Sequence, residues 1–260
     1  MPRQCAVLLS ALVLFSALWG QDQKPQNGAN TMPNMDMSGH NMSDMPAIDA
    51  EGGAHAMRSM ENRHMDMGPH MKMTGLRNPQ PGDSERAAQV VQAARKVAGK
   101  YTDYKTALAD GFRIFLPNLP QKQYHFTNYR YASEAGRYFN PDHPTSLLYE
   151  KQGEGYKLIG VMYTAPKNFS EDELNQRVPL SIAQWHAHVN LCLPPPDKRN
   201  EMRGPNALFG LAGSISTEDA CSAAGGKFIP QIFGWMVHIY PFEQKPEDIW
   251  SVERQHGTMH

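Results

Sequence analysis

Gln184-Trp185-His186-Ala187-His188-Val189-Asn190-Leu191-Cys192 is the stretch whose reading decides the fold. Successive side chains of a β-strand point to opposite faces. Read that way, Trp185, Ala187, Val189, Leu191 and Leu193 form one apolar face, and His186, His188, Asn190 and Cys192 form the other. A strand with one core-facing side normally spends its other side on Lys, Glu or Thr. Donor atoms concentrated there point to a lined cavity instead of a solvated surface. The bland alternative is a polar sheet face whose histidines are simply hydrogen-bonded.

The pattern recurs. In Phe233-Gly234-Trp235-Met236-Val237-His238-Ile239-Tyr240 the odd positions are apolar at Phe233, Trp235, Val237 and Ile239, and His238 lies opposite them. Tyr124-His125-Phe126 repeats the arrangement. Three strand-like segments therefore offer imidazole on the side away from the core, which makes His125, His186, His188 and His238 a candidate metal set. Copper is the first choice, with zinc or iron as alternatives. Three histidines with an open coordination position also suit metal-assisted hydrolysis or oxygen chemistry, in which Glu150 or Glu243 would serve as acid or base. A His-x-His strand followed by a later His strand is similar to the cupin barrel. The cupin carboxylate a few residues after His-x-His is missing, because Asn190 to Pro196 contains none.

Lys and Arg number 25 against 26 Asp and Glu, and nothing basic is clustered, so no nucleic-acid partner is expected. The first twenty residues read as a secretory signal peptide: Arg3 supplies the positive end, and Cys5 to Trp19 is a mostly apolar run too short to span a bilayer comfortably. No later apolar stretch is long enough for a transmembrane anchor. The expected location is periplasmic or secreted. Cys5 leaves with the signal, so Cys192 and Cys221 remain as an even pair in an oxidising compartment, and a disulfide between them is the default. The competing reading makes Cys192 a soft metal ligand beside His188.

Between Trp19 and Tyr101 there is no aromatic residue, and from Gln21 to Gly82 the only large aliphatics are Ile48 and Leu76. Such a segment buries too little apolar area to offset its ordering entropy, so residues 21–82 are expected to be a disordered tail. Its bias is specific, since eleven of the sixteen methionines lie there. Met35, Met37, His40, Met42 and Met45 form one group, and His64, Met65, Met67, His70, Met71 and Met73 form another. Both groups resemble the Met/His-rich segments of bacterial copper-resistance proteins. Thioethers prefer Cu(I), imidazole takes either copper state, and neither is lost to disulfide formation as a thiolate would be. An oxidant-scavenging tail and an inert linker are the other readings.

Folding is expected over residues 83–253. Ala87, Val90, Val91, Ala94, Val97, Ala98, Tyr101, Tyr104 and Leu108 follow the spacing of one amphipathic helix, capped at Asp83 or Ser84 and ended by Gly111. Strands are expected at Tyr124–Tyr129, Ser146–Glu150 and Tyr156–Thr164, the last two joined by a hairpin through Lys151-Gln152-Gly153-Glu154-Gly155. Short helices are expected at Glu171–Arg177 and at Thr217–Ala224, the second within an excursion from Asp197 to Gly226. Residues 254–260 should fray. The fold class is thus α+β, one long N-terminal helix on a largely antiparallel sheet.

Ala107-Leu108-Ala109-Asp110-Gly111-Phe112, Tyr124-His125-Phe126-Thr127-Asn128, the run Phe139 to Glu150, Leu158 to Tyr163 and Trp235-Met236-Val237-His238 together resemble an uncharacterised family of exported bacterial proteins. The resemblance covers about residues 85 to 253. It implies a fold boundary and carries no activity with it. Three function classes follow: an exported metal-binding protein, a metal-dependent enzyme, and a structural exported domain without metal.

Overall fold

The computed structural model describes residues 68–118, 121–251 and 254. The expected signal peptide and the expected tail up to residue 67, with Met35, Met37, His40, Met42, Met45, His64, Met65 and Met67, lie outside the described residues, as do 255–260.

Seven strands form one antiparallel sheet: β1 (Met71–Met73), β2 (Arg113–Ile114), β3 (Tyr124–Thr127), β4 (Ser146–Gln152), β5 (Gly155–Ala165), β6 (His186–Leu193) and β7 (Lys227–Ile239). Their order across the sheet is β1-β6-β7-β5-β4-β3-β2. β4 and β5 form a hairpin in which Gln152 pairs with Gly155, so only Gly153 and Glu154 turn the chain. Gly153 takes φ 55°, which a side chain would disfavour.

Alternation along these strands divides the sheet into two faces. One face carries Phe126, Leu147, Tyr149, Val161, Tyr163, Trp185, Ala187, Trp235, Val237 and Ile239, all in the main core. Onto that core packs helix α1 (Asp83–Lys100), whose buried residues include Ala87, Val90, Val91, Ala94, Val97 and Ala98. The shorter helices are α2 (Tyr104–Ala109), α3 (Tyr129–Ala135), α4 (Glu171–Arg177), α5 (Glu218–Ala223) and α6 (Pro246–Ile249). α4 carries a full capping box between Ser170 and Glu173. Among the described residues no helix is long and apolar enough to cross a membrane.

Four sequence expectations are corrected. The single helix to Gly111 is two helices, α1 and α2. Asp103 accepts a hydrogen bond from Lys105 N and so caps α2 afresh, while the carbonyl of Tyr101 accepts one from the buried Tyr149 hydroxyl at 2.6 Å. The continuous apolar face from Trp185 to Leu193 also stops short. The register against β7 shifts between His186 and His188 and Asn190 sits at φ 57°; Trp185 and Ala187 join the main core, and Val189, Leu191 and Leu193 do not.

The third correction moves the tail boundary. Residues 68–82, assigned to the disordered tail, are ordered, and β1 pairs with β6 at the sheet edge. The segment is held by its partner's backbone more than by its own hydrophobicity. Val189 N donates to the His70 carbonyl, Thr74 N to the Trp185 carbonyl, and Trp185 N to Thr74 Oγ1. Asn190 Nδ2 adds a bond to the Pro69 carbonyl. Composition cannot report such strand addition, because the stabilisation lies in ladder hydrogen bonds. The fourth correction concerns Arg254, which does not fray. Its guanidinium pairs with Glu243 and lies over the Tyr240 ring.

The excursion after β6 closes on itself. Cys192 and Cys221 form a disulfide with Cα atoms 5.6 Å apart, and with Phe209 they make a separate buried cluster. The disulfide takes Cys192 out of the set of metal ligands. Gly226 is required beside the bridge, since a Cβ there would lie 2.6 Å from Cys192 Sγ.

Candidate metal centre

The second face of the sheet holds all four candidate histidines. His125 comes from β3, His186 and His188 from β6, and His238 from β7. The ring centroids of His125 and His238 are 5.6 Å apart, those of His238 and His186 5.1 Å, and those of His186 and His188 5.7 Å. These contacts link the four imidazoles in series, from His125 through His238 and His186 to His188. Among the described residues no three His, Cys, Asp or Glu side chains are placed to hold one ion between them.

Methionines occupy the positions between and opposite the histidines. In β1, Met73 pairs with His186 and Met71 with His188. Across the sheet, His186 pairs with Met236 of β7, and His238 pairs with Met162 of β5. Directly opposed residues of an antiparallel pair share a face and stand about 4.5–5.5 Å apart at Cβ. Met162 and Met236 also pack with Leu148 and Tyr240 in a small apolar cluster on this side. The sequence reading placed Met71 and Met73 in a free tail and gave Met162 and Met236 no role. The signal that would have found the latter two was parity, since Met236 shares the face of His238 within its own strand.

A bulge in β7 sets this register. His186 pairs with Met236 while His188 pairs with Ile232, so the β6 step of two residues faces a β7 step of four. Phe233 lies in the bulge at φ 65° and meets Phe115 edge to face at 5.6 Å. Gly234 next to it permits the close approach of β5, where a Cβ would lie 2.0 Å from the Ala165 carbonyl oxygen. Without the two extra residues, Met236 would not fall opposite His186.

His125 is pushed down to about 4, chiefly because burial disfavours its charged form, and further by the neighbouring His188. At neutral pH it is an uncharged imidazole, the form that binds metals. His70 is engaged elsewhere. It is buried, and its Nε2 donates to the Gly213 carbonyl at 2.6 Å, tying the β1 segment to the excursion.

Glu150 and Glu243 are not in the histidine series. Both line a cleft of about 660 Å³ with Lys122, Gln123, Lys157 and Tyr240, and none of the four histidines lines it. Burial pushes the Tyr240 phenol up to about 12, and Gln123 Nε2 donates to its oxygen at 3.2 Å.

Comparison with family models, with curated proteins and with solved structures found no match to this chain.

Proposed function

We propose that this chain is an exported transition-metal-binding protein, with copper as its metal, and that the folded part binds through the histidine face of the sheet. His186, His188 and His238 are the central ligands and His125 the flanking one. The observation that carries this reading is the series of ring contacts at 5.1–5.7 Å on one sheet face, supplied by three different strands. A hydrogen-bonded polar face has no need to gather four imidazoles from β3, β6 and β7 into one row. Binding of one ion by three of these rings would require the side chains to turn toward it from their positions in the row, within the staggered rotamers each can visit. The resemblance to exported bacterial proteins and the Met/His-rich N-terminal segment support the location and the metal. That segment would collect metal and the sheet would hold it.

The test compares the full-length protein with the triple variant His186→Gln, His188→Gln, His238→Gln. Both are loaded with copper, desalted and analysed for metal per chain, with circular dichroism confirming the fold. The expected result is a loss of about one ion per chain in the variant, the remainder staying on the N-terminal segment. Equal metal content in the two proteins would leave a structural domain with an incidental histidine face. A truncation used for the same purpose should begin at residue 68, because removing 68–80 would strip β1 from the sheet.

A further inference from the structure

The geometry points to a Cu(I) site built from two thioethers and two imidazoles, Met73, His186, Met236 and His238, in which β1 completes the ligand set. This rests on the metal reading above and sharpens it from a histidine site into a soft, monovalent one.

Three observations carry it. First, the register places Met73, His186 and Met236 directly opposite one another on β1, β6 and β7, so thioether, imidazole and thioether form one straight row across three strands. His238 is two residues from Met236 on the same strand face, and its ring centroid is 5.1 Å from that of His186. Second, three of the four are removed from water, with His186 1% exposed, His238 2% and Met236 6%, and Met73 is half-buried at the sheet edge. Third, thioether and neutral imidazole are donors that carry no formal charge as ligands.

The physical consequence is selectivity by charge and by softness together. The cost of moving an ion from water into a low-dielectric site rises with the square of its charge, so neutral buried ligands favour a monovalent over a divalent cation. Thioether sulfur adds preference for Cu(I), whereas Zn(II) draws on imidazole, thiolate and carboxylate. The row is therefore matched to Cu(I) and poorly matched to Zn(II) or Co(II). It also explains why a methionine-rich segment ends as a strand of this sheet. Met73 reaches the row only because β1 pairs with β6, so the segment closes the site and is part of it.

The experiment uses the full-length protein with 13C-methyl methionine, titrated with Ag(I) as a redox-inert stand-in for Cu(I) and separately with Co(II). Met73→Leu and Met236→Leu assign the two methyl signals and keep the volume of the side chains. The expected result is that the Met73 and Met236 methyls and the His186 and His238 ring signals shift together within the first equivalent of Ag(I), before the methyls of Met35, Met37, Met65 and Met67. The double variant should bind Ag(I) about tenfold or more weakly at the first site, while its Co(II) affinity changes by less than about threefold. Ring signals that shift with both methyls still would overturn the thioether row and leave a histidine metal site. Methyls of residues before 68 that shift while nothing on the sheet moves would overturn both readings.

Discussion

The two faces of this sheet are made from alternating residues of the same strands, and they differ in kind. On one face Trp185, Trp235, Tyr149, Phe126 and Val237 are buried in the apolar core that also takes up the stripe of α1. On the other, the buried His186 and His238 stand opposite methionines, and Leu148, Met162, Met236 and Tyr240 form a small apolar grouping. Trp235 and Met236 are adjacent in sequence and serve the two faces in turn. Burial alone therefore does not distinguish the core-facing side from the face we propose to bind metal. The distinction lies in what the buried groups can do with their lone pairs: the first face has almost none to offer, and the second is filled with soft donors.

The comparison predicts unequal consequences for substitutions of neighbours. Trp235→Ala opens a cavity in the main core and should destabilise by about 3–5 kcal/mol, measured by chemical denaturation. Met236→Leu, one residue on, conserves volume and should cost less than about 1.5 kcal/mol. Its effect should fall on metal affinity instead. Similar destabilisation by the two variants would mean that the histidine face is ordinary core.

The disulfide offers the next test, because its buried cluster is separate from the main core and from the grouping around Met162 and Met236. Cys192 and Cys221 close a loop of 29 residues around their own cluster. Replacing both by Ser should lower stability by about 3–4 kcal/mol in the chain-entropy account, with metal content per folded chain unchanged. A variant that keeps its stability and loses metal would show that the excursion shapes the histidine row.

A smaller effect is expected at the seam between β1 and the rest. Thr74 Oγ1 accepts from the buried Trp185 N–H at 3.0 Å. Thr74→Val keeps the shape and leaves that donor unpaired, which should cost about 1–3 kcal/mol. Hydrogen exchange should rise first in residues 70–74, since an edge strand of three residues opens before the centre of the sheet. Uniform exchange across β6 and β7 instead would make β1 an integral part of the core and not a strand laid against it.

Much of the site was legible as parity. Histidines spaced by two must share a strand face, and Trp185 and Trp235 fall on the opposite side for the same reason. That reasoning is local, and it fails where the partner decides. Met71 and Met73 read as tail because strand addition is stabilised by backbone bonds that leave no mark on composition. The β7 bulge, which aligns His186 with Met236, depends on Phe233 at positive φ and on a glycine pressed against another strand, and single-sequence periodicity contains neither. The break between α1 and α2 was masked by an apolar stripe that runs through Tyr101 without interruption, while the Tyr149 hydroxyl that takes the Tyr101 carbonyl lies 48 residues away.

The last prediction returns to the core-facing side, where Asp83 is the one buried carboxylate among the described residues. Its oxygens accept from Ser181 Oγ at 2.5 Å, from Arg86 Nη2 at 2.9 Å and from Gln80 N at 3.0 Å, joining the start of α1 to the loop that leads into β6. The Ser181 hydroxyl, then the Arg86 guanidinium, then the Gln80 N–H hold its carboxyl down to about 2. The pKa is depressed on folding, so the unfolded chain binds the proton more readily. The stabilisation is fully present above the ordinary value of 3.8 and is lost as the pH falls through about 2. Denaturation midpoints of the wild type and Asp83→Asn should therefore differ at pH 5 and converge as the pH drops toward 2. A constant gap over that range would mean that Asp83 acts through shape and hydrogen bonding alone, and the charge on the core-facing side would carry no stability.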